Sequence, residues 1–331
     1  MTSRRSARPG RAPAPTGVLE AVAEALAEGV PGGVRPGELD RDGRALRWLE
    51  AGPGPGVKPG PGEGVPVVVL IAGMGTSALT WAPLLPELAR PGRVVAYDRA
   101  GLGASEPDQA PVLTLDGQVA DLTALLRHLD AGPAVLVGHS WGGQLAQLLA
   151  RERPELVAGL VLVDPAHEDF RPRAISAVES LLLRAGLLRV GLLRVGLVRA
   201  GLLRAAPAPA APVAGDALAR AEAAVLAHPH QRRAVLAENR LTNRATGQLR
   251  RRRAAGPPLR VPVTVLSATT GLPRGLRARF TAVQAGITAG TDQGVHLLVP
   301  GAGHAVHADR PEVVAAAVRE VSGRVRTARR P

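Results

Sequence analysis

The stretch Ala134-Val135-Leu136-Val137-Gly138-His139-Ser140-Trp141-Gly142-Gly143 runs directly into the helix-forming segment 144–150. Its first four residues form an apolar run that predicts a short buried strand. At the corner between strand and helix the sequence reads G-x-S-x-G. A strand, this corner and a helix in direct succession are the context in which a serine is presented as a nucleophile.

Two glycines of this corner make room for Ser140. A serine in a strained strand-to-helix turn needs neighbours without bulky side chains, and Gly138 and Gly142 meet that need. Because a helix follows at once, the backbone N–H of Trp141 lies at the positive end of a helix dipole and can receive an oxyanion. The alternative is a chance match in a Gly-rich chain, and the flanking strand and helix argue against it.

Further continuous apolar runs are typical of strands that are buried on both faces. Segment 44–50 also reads as a strand. Strands that alternate with helices predict an α/β fold with a mainly parallel sheet covered by helices on both faces. The apolar runs are 67–71, 94–97, 160–163, 263–266 and 295–299, and the helical patterns are about 78–89, 117–129, 142–152, 273–285 and 309–321.

This alternation fails between Asp164 and about Arg260. The interval is too long for a loop in a compact domain, which predicts that it carries its own helices. Within it, Leu-Leu-Arg-Ala-Gly recurs with small changes over 182–205, and the five-residue step turns successive arginines by about 140° round a helix. We interpret the repeat as an expansion in a tolerant surface helix. The alternative is a lid that contacts a lipid surface.

Length and composition limit the function classes. The 331 residues suffice for one large α/β core and a smaller accessory segment, and the absence of cysteine excludes disulfides and thiolate metal sites. The net charge of +13 comes almost wholly from arginine. We attribute most of this charge to codon bias, because a GC-rich genome favours arginine. The arginine clusters within 4–11, 250–253 and 324–330 lack interleaved aromatics, so we expect no nucleic-acid partner.

The N-terminal region predicts no export or membrane segment. Residues 1–15 read as a disordered tail, and Thr16 can cap a helix through about Glu28. Glu20 and Glu24 interrupt its apolar stretch, so we expect no signal peptide, and no window of about 20 apolar residues predicts a membrane span. We therefore expect a cytoplasmic protein, with membrane contact through the 182–205 repeat as the alternative. The apolar stripe of the short helix is Val18, Leu19, Val22 and Leu26.

A serine nucleophile requires a base, and two histidines lie late in the chain. Gly301-Ala302-Gly303-His304 follows the last predicted strand, and its glycines would let His304 approach Ser140 closely. His307, three residues on, is the competing candidate. The other histidines are interpreted as surface or packing residues: His128, His139, His167, His228, His230 and His296.

The acid that orients the base can follow either of the two strands after the nucleophile strand. No Asp or Glu occurs between Glu238 and Asp292, so the loop after the strand 263–266 cannot supply it. Asp164, at the end of the strand 160–163, is the candidate, although it can also be a turn aspartate before Pro165. Glu168 and Asp169 are held in reserve, and Asp292 is a weaker choice.

A second oxyanion donor is expected in the loop Ala72-Gly73-Met74-Gly75 after the first long apolar strand. Small residues there let a backbone N–H point into the site, and we assign the donor to Met74. The loop lacks the further glycine and the Lys-Ser/Thr of a phosphate-binding loop, so a nucleotide site is not expected.

Three ordered motifs make residues 36–323 resemble the α/β-hydrolase superfamily. They are residues 138–143, the stretch Tyr97-Asp98-Arg99-Ala100-Gly101-Leu102-Gly103-Ala104-Ser105, and residues 301–304 with Asp309-Arg310-Pro311-Glu312 after them. The resemblance implies that Ser140, Asp164 and His304 are nucleophile, acid and base in the superfamily's order, and that Asp98 and Arg99 are structural.

The sequence departs from the superfamily at two places. Ala72-Gly73 stands where members commonly have His-Gly, and the usual acid loop holds no carboxylate. A serine nucleophile argues against dehalogenase and epoxide-hydrolase relatives, which use aspartate. The resemblance implies a tail and short helix at 1–35, a hydrolase core at 36–164 and 259–323, a helical cap at 165–258 inserted after the strand that follows the nucleophile strand, and a basic tail at 324–331.

The functional prediction is a cofactor-independent serine hydrolase that acts on a small carboxylic ester or similar acyl compound. Perhydrolysis, C–C bond hydrolysis and acyl transfer use the same three groups and stay open within this class. The hypothesis from another class is a non-catalytic protein of this fold that binds a small ligand or a membrane through its arginine-rich cap.

Overall fold

The computed structural model describes residues 17–30, 32–53, 65–108, 112–130, 132–171, 181 and 215–328. Within these ranges one sheet of eight strands runs through the molecule. The strands are β1 (Val34–Arg41), β2 (Arg44–Ala51), β3 (Val68–Ile71), β4 (Val94–Tyr97), β5 (Ala134–His139), β6 (Val157–Val163), β7 (Val263–Ala268) and β8 (Gly294–Val299).

The strand order is β1-β2-β4-β3-β5-β6-β7-β8. The β1–β2 and β2–β4 pairs are antiparallel, and every pair from β4 to β8 is parallel. The predicted mainly parallel sheet is therefore confirmed. In such a sheet the carboxyl ends of the parallel strands meet at one edge, which is where ligands bind in open α/β folds.

Helices cover both faces of the sheet, as the alternating pattern predicts. They are α1 (Gly17–Ala27), α2 (Leu85–Leu88), α3 (Leu115–Leu129), α4 (Trp141–Glu152), α5 (Gly215–Ala227), α6 (Pro229–Arg244), α7 (Thr246–Ala255), α8 (Arg274–Ala289), α9 (Val306–Asp309) and α10 (Pro311–Ala328), with 3-10 turns at Ala78–Leu84 and Pro154–Leu156.

Three differences from the predicted elements have local causes. Strand β1 was not predicted, because it contains Pro36 and alternates half-buried with exposed residues at the sheet edge. The helix predicted at 78–89 is a 3-10 segment with Pro83 inside it, followed by α2. The helix predicted at 309–321 is split at Arg310, because a residue before proline disfavours the helical conformation.

Two apolar layers lie on opposite faces of the sheet. One contains buried residues of α1, α5 and α10, and the other contains those of α3 and α4. Within β3 the side chains alternate between the layers, since Val68 and Leu70 belong to the first and Val69 and Ile71 to the second. The predicted α1 stripe is buried, as expected for a helix that packs on the domain.

The interval between β6 and β7 holds α5, α6 and α7, which we call the insertion helices. The predicted tail at 1–15 and the five-residue repeat at 182–205 lie outside the described residues. Helix α10 continues to Ala328, past the predicted start of the basic tail. Among the helices described, none has the length and apolar character needed to cross a membrane.

Candidate active site

Ser140 occupies the corner between β5 and α4, as the sequence predicts. Its backbone has φ 49° and ψ −115°, a conformation that is costly for a residue with a side chain. The corner is held by hydrogen bonds from the Ser140 N–H to the carbonyl of Val163 (3.1 Å) and from the Gly143 N–H to the carbonyl of Ser140 (3.0 Å). The surrounding structure thus stabilises the strained serine.

The glycines of the corner provide room for backbone contacts as well as for the serine. A Cβ on Gly138 would lie 2.6 Å from the carbonyl oxygen of Gly142 and from the Cα of Gly143. A Cβ on Gly142 would lie 2.7 Å from the carbonyl oxygen of Ala72, in the loop after β3. Glycine is therefore required at both positions, because the start of α4 is in direct contact with the end of β5 and with the end of β3.

A chain of hydrogen bonds connects Ser140, His304 and Asp164. Nε2 of His304 lies 3.0 Å from Oγ of Ser140, and its Nδ1 lies 2.7 Å from Oδ2 of Asp164. The imidazole is half-exposed, whereas the carboxylate is fully buried. The structure therefore brings the three residues singled out in the sequence together, although 164 residues separate Ser140 from His304.

The carboxylate of Asp164 is surrounded by donors in addition to His304. Its Oδ1 accepts hydrogen bonds from the backbone N–H of Ala268 (3.1 Å), from Arg277 (3.1 Å) and from Gln284 (3.0 Å). Burial acts to raise the pKa of Asp164, but the hydrogen bond and charge of His304 and the charge of Arg277 outweigh it. The pKa therefore lies below its ordinary value, and the group is an anion at neutral pH.

The other carboxylates considered as the acid lie elsewhere. Glu168 is bound by Arg253, and Asp169 by Arg250 at 2.6 Å. Asp292 is exposed before β8. Arg277 and Gln284 were not predicted as site residues. Their positions on the buried face of α8, seven residues apart, are the signal that could have indicated them.

Two more histidines are buried beside His304. His139 donates from Nε2 to the carbonyl oxygen of His304 (2.9 Å), and Nε2 of His307 lies 2.8 Å from Oγ1 of Thr80. Burial lowers the pKa of His307 to about 3, with a smaller contribution from His304, and burial likewise keeps the pKa of His139 well below its ordinary value. Both rings are therefore neutral at neutral pH, which fits the packing role predicted for His139.

The two residues predicted as oxyanion donors lie in segments that adjoin Ser140. Trp141 is the first residue of α4, and the first N–H groups of a helix have no partner within it. Met74 lies in the loop after β3, where a Cβ on Gly73 would be 3.5 Å from Cβ of Ser140 and 2.7 Å from Nδ1 of His139. The glycine lets this loop approach Ser140 closely.

Potential metal ligands occur together at His167, Glu168 and Asp169, whose donor atoms lie within 4.8 Å of one another. Arg253 and Arg250 bind the two carboxylates, and Nδ1 of His167 accepts a hydrogen bond from the Asp169 N–H at 3.1 Å. The group is thus an ion-pair network that joins the segment after β6 to α7.

Similar solved structures share this architecture. Cfl2 from Burkholderia cenocepacia has a TM-score of 0.66 at 23% identity, over 87% of this chain and 95% of that chain. The enol-lactonase from Burkholderia xenovorans has a TM-score of 0.59 at 19% identity, over 86% of this chain and 99% of that chain. At these identities the likeness shows the fold alone.

Curated relatives match a shorter part of the chain. YqjL of Bacillus subtilis is 40% identical over 103 residues, which are 31% of this chain and 40% of that protein. Lipase LipV of Mycobacterium tuberculosis is 41% identical over 118 residues, which are 35% of this chain and 43% of that protein. The alignments thus span less than half the length of these relatives. The model of the alpha/beta hydrolase family, however, matches residues 68–317, so this chain belongs to the alpha/beta hydrolase family.

Proposed function

We propose that the chain is a serine hydrolase that cleaves a carboxylic ester or a similar acyl compound without a cofactor. One observation carries the proposal: the hydrogen-bond chain from Oγ of Ser140 through His304 to the buried carboxylate of Asp164. A hydroxyl becomes a competent nucleophile when a base accepts its proton and a third group orients that base. Relatives named as lipases and esterases support the same reaction class.

In the proposed reaction Oγ of Ser140 attacks the acyl carbon while Nε2 of His304 accepts the hydroxyl proton. The resulting oxyanion is stabilised by the backbone N–H groups of Met74 and Trp141. His304 then donates its proton to the leaving alcohol, and the acyl group stays on Ser140. A water molecule, deprotonated by the same nitrogen, attacks the acyl-enzyme, and the carboxylic acid leaves as Ser140 recovers its proton.

Asp164 has two tasks in this scheme. Its bond to Nδ1 of His304 holds the proton on that nitrogen, so that Nε2 faces Ser140 as an acceptor. Its negative charge then stabilises the imidazolium that forms when Nε2 takes the serine proton. The insertion helices, as part of a cap over 165–258, would shape the acyl or alcohol pocket.

The test is hydrolysis of p-nitrophenyl esters from acetyl to long acyl chains, by the parent and by Ser140→Ala. Reaction with a fluorophosphonate, read by mass spectrometry, reports the serine independently of the ester chosen. We expect parent activity and a label on Ser140, with both lost in the variant while its thermal unfolding is unchanged. A parent that neither hydrolyses an ester nor takes the label would overturn the proposal. The membrane-binding version of the non-catalytic alternative depends on the repeat 182–205, which lies outside the described residues.

A further inference from the structure

One carboxylate of the insertion helices is buried against the loop that carries Met74. Glu238 of α6 has no exposed surface. Arg99 binds it through two nitrogens, Nε to Oε1 at 2.6 Å and an Nη to Oε2 at 2.8 Å. Gln118 donates to Oε1 (2.6 Å), and the backbone N–H of Gly75 donates to Oε2 (2.7 Å). A buried charge with four hydrogen bonds is fully compensated, so the arrangement has a defined geometry.

Arg99 extends the contact to the other side of Met74. Its terminal nitrogens donate to the carbonyl oxygens of Ala72 and Gly73, both at 2.7 Å. The Glu238–Arg99 pair therefore holds the two carbonyls before Met74 and the N–H group after it. The peptide that presents the Met74 N–H is fixed from both ends.

The same carboxylate is linked to Trp141, the residue that follows Ser140. The side-chain amide of Gln118 donates to Glu238, and its oxygen accepts a hydrogen bond from Nε1 of Trp141 at 2.8 Å. One amide thus connects Glu238 with the residue that begins α4.

The packing of α6 is consistent with these bonds. Gln231, Ala234, Val235 and Glu238 share one face of α6, at the spacing i, i+3, i+4, i+7. A Cβ on Gly75 would lie 3.0 Å from Val235, and a Cβ on Gly101 would lie 2.9 Å from Ala234. Gly103 donates its N–H to the side-chain oxygen of Gln231 at 3.0 Å. This face of α6 therefore packs closely on the loops after β3 and β4.

We infer that Glu238 is a positioning residue for the oxyanion hole, acting on the Met74 loop through Arg99 and on Trp141 through Gln118. The inference rests on the proposed function and adds to it: the insertion completes the catalytic centre in addition to covering it. Because the oxyanion exists only after attack, misplacing its donors should lower kcat while leaving KM nearly unchanged. A role limited to anchoring α6 would change stability and KM instead.

The test replaces both charges at once, as Arg99→Met with Glu238→Leu, because removing one partner alone leaves an uncompensated buried charge. We expect kcat to fall on the order of 10- to 100-fold, with KM within about threefold of the parent. The affinity for a trifluoromethyl ketone, which forms an oxyanion on Ser140, should fall in parallel with kcat. The rate of fluorophosphonate labelling should fall too, and it can be read whether or not the ester panel contains a good substrate.

The control is Glu50→Leu with Arg93→Met, at the opposite end of β4 from the Met74 loop. The contacts between these two side chains are 2.8 and 3.0 Å. Arg35 also binds Glu50, but its side chain is partly exposed, so water can solvate its charge in the variant. We expect this control to keep the parent kcat, ketone affinity and labelling rate. Equal values for the parent and the Arg99/Glu238 variant would overturn the inference and leave the serine hydrolase standing. A parent without hydrolysis or labelling would overturn both.

If the Arg99/Glu238 variant does not fold, Gln118→Met provides the test. It cuts the link between Glu238 and Trp141 and keeps the buried ion pair. We expect a several-fold lower kcat and labelling rate at unchanged KM. A Gln118→Met protein that matches the parent in kcat, ketone affinity and labelling would overturn the inference.

Discussion

A guanidinium nitrogen of Arg277 lies 3.1 Å from Oδ1 of Asp164, while His304 is bonded to Oδ2 of the same carboxylate. One buried anion therefore faces two basic side chains. Arg277 is itself buried and also donates to the carbonyl of Thr270 at 3.1 Å. Its fixed charge opposes the formation of a second positive charge on His304, which would carry a proton in each acyl transfer of the proposed reaction.

Removal of this charge should change the pH profile. The charge of Arg277 is one of the causes that hold the pKa of Asp164 below its ordinary value. In Arg277→Met the pKa of this carboxyl should therefore rise, so that acid neutralises it more easily. We expect the acidic limb of kcat/KM to move to higher pH by roughly one unit. Arg277→Lys keeps the charge and should keep the limb near its parent position. Coincident profiles for the parent and the methionine variant would contradict this account.

Neutralising Asp164 should nearly abolish turnover. In Asp164→Asn the amide favours the wrong tautomer of His304 and cannot stabilise the imidazolium, so kcat should fall on the order of 10⁴-fold. Asp169→Asn is the control, because Asp169 is bound to Arg250 and was itself a candidate in the sequence analysis. Steady-state kinetics on the best ester of the panel gives the comparison. An Asp164→Asn enzyme within a few-fold of the parent would show that the acid is another residue.

A methyl group at Gly138 should destabilise the fold. Its Cβ would lie 2.6 Å from backbone atoms of Gly142 and Gly143, which cannot rotate away as a side chain can. We expect the free energy of unfolding, measured in urea, to fall by about 2 kcal/mol or more in Gly138→Ala.

Gly286→Ala is the matched control for Gly138→Ala. Gly286 lies within α8, and a Cβ there meets no atom within 4 Å. The alanine should leave stability unchanged or raise it by up to about 1 kcal/mol, since alanine favours helix. The two alanine variants should therefore differ clearly, and equal stabilities would show that the corner at Gly138 has room for a side chain.

His307 should make the folded state sensitive to acid. The pKa of its buried ring is lowered to about 3, whereas an unfolded chain binds this proton near the ordinary value of about 6.5. Between these two values the unfolded state binds more protons, so stability rises with pH and is lost as the pH falls from about 6.5 towards 3. From pH 7 to 5 this single group should cost roughly 2 kcal/mol.

Urea unfolding at pH 7 and pH 5 tests this dependence. In His307→Gln, which retains a polar group near Thr80, the difference between the two pH values should shrink by that amount. The pKa shift of Asp98 arises mainly from burial and has no contribution from His307, so Asp98 contributes equally to both proteins and cancels in the comparison. His139 does not cancel completely, because the neighbouring His307 ring helps to lower its pKa. His128→Gln, on an exposed position of α3, should keep the parent difference. An undiminished difference in His307→Gln would mean that this ring is not the acid-sensitive group.

The amino-acid sequence alone was sufficient to predict those parts of the protein that depend on local sequence patterns. Apolar runs alternating with helical periodicity predicted the mainly parallel sheet, and the glycine-flanked corner predicted where Ser140 lies. The proposed base, His304, was indicated for a similar reason, because glycines beside a strand end are a local signal and residues 301–303 provide two of them. The absence of carboxylates from 239 to 291 excluded the loop after β7 as the source of the proposed acid. Asp164 was then the best-placed candidate, with Glu168 and Asp169 in reserve.

Only the tertiary structure decided which distant side chains meet. Arg277 contacts Asp164 across 113 residues, and Glu238 contacts Arg99 across 139. Neither contact can be predicted from periodicity or composition. Helical periodicity indicates that a residue is buried, but it does not indicate which residue it packs against. The chain is rich in arginine, so charge counts could not distinguish the few buried guanidinium groups from the many on the surface. Those partners are set by the strand order and by the docking of α6 and α8, which are properties of the folded chain.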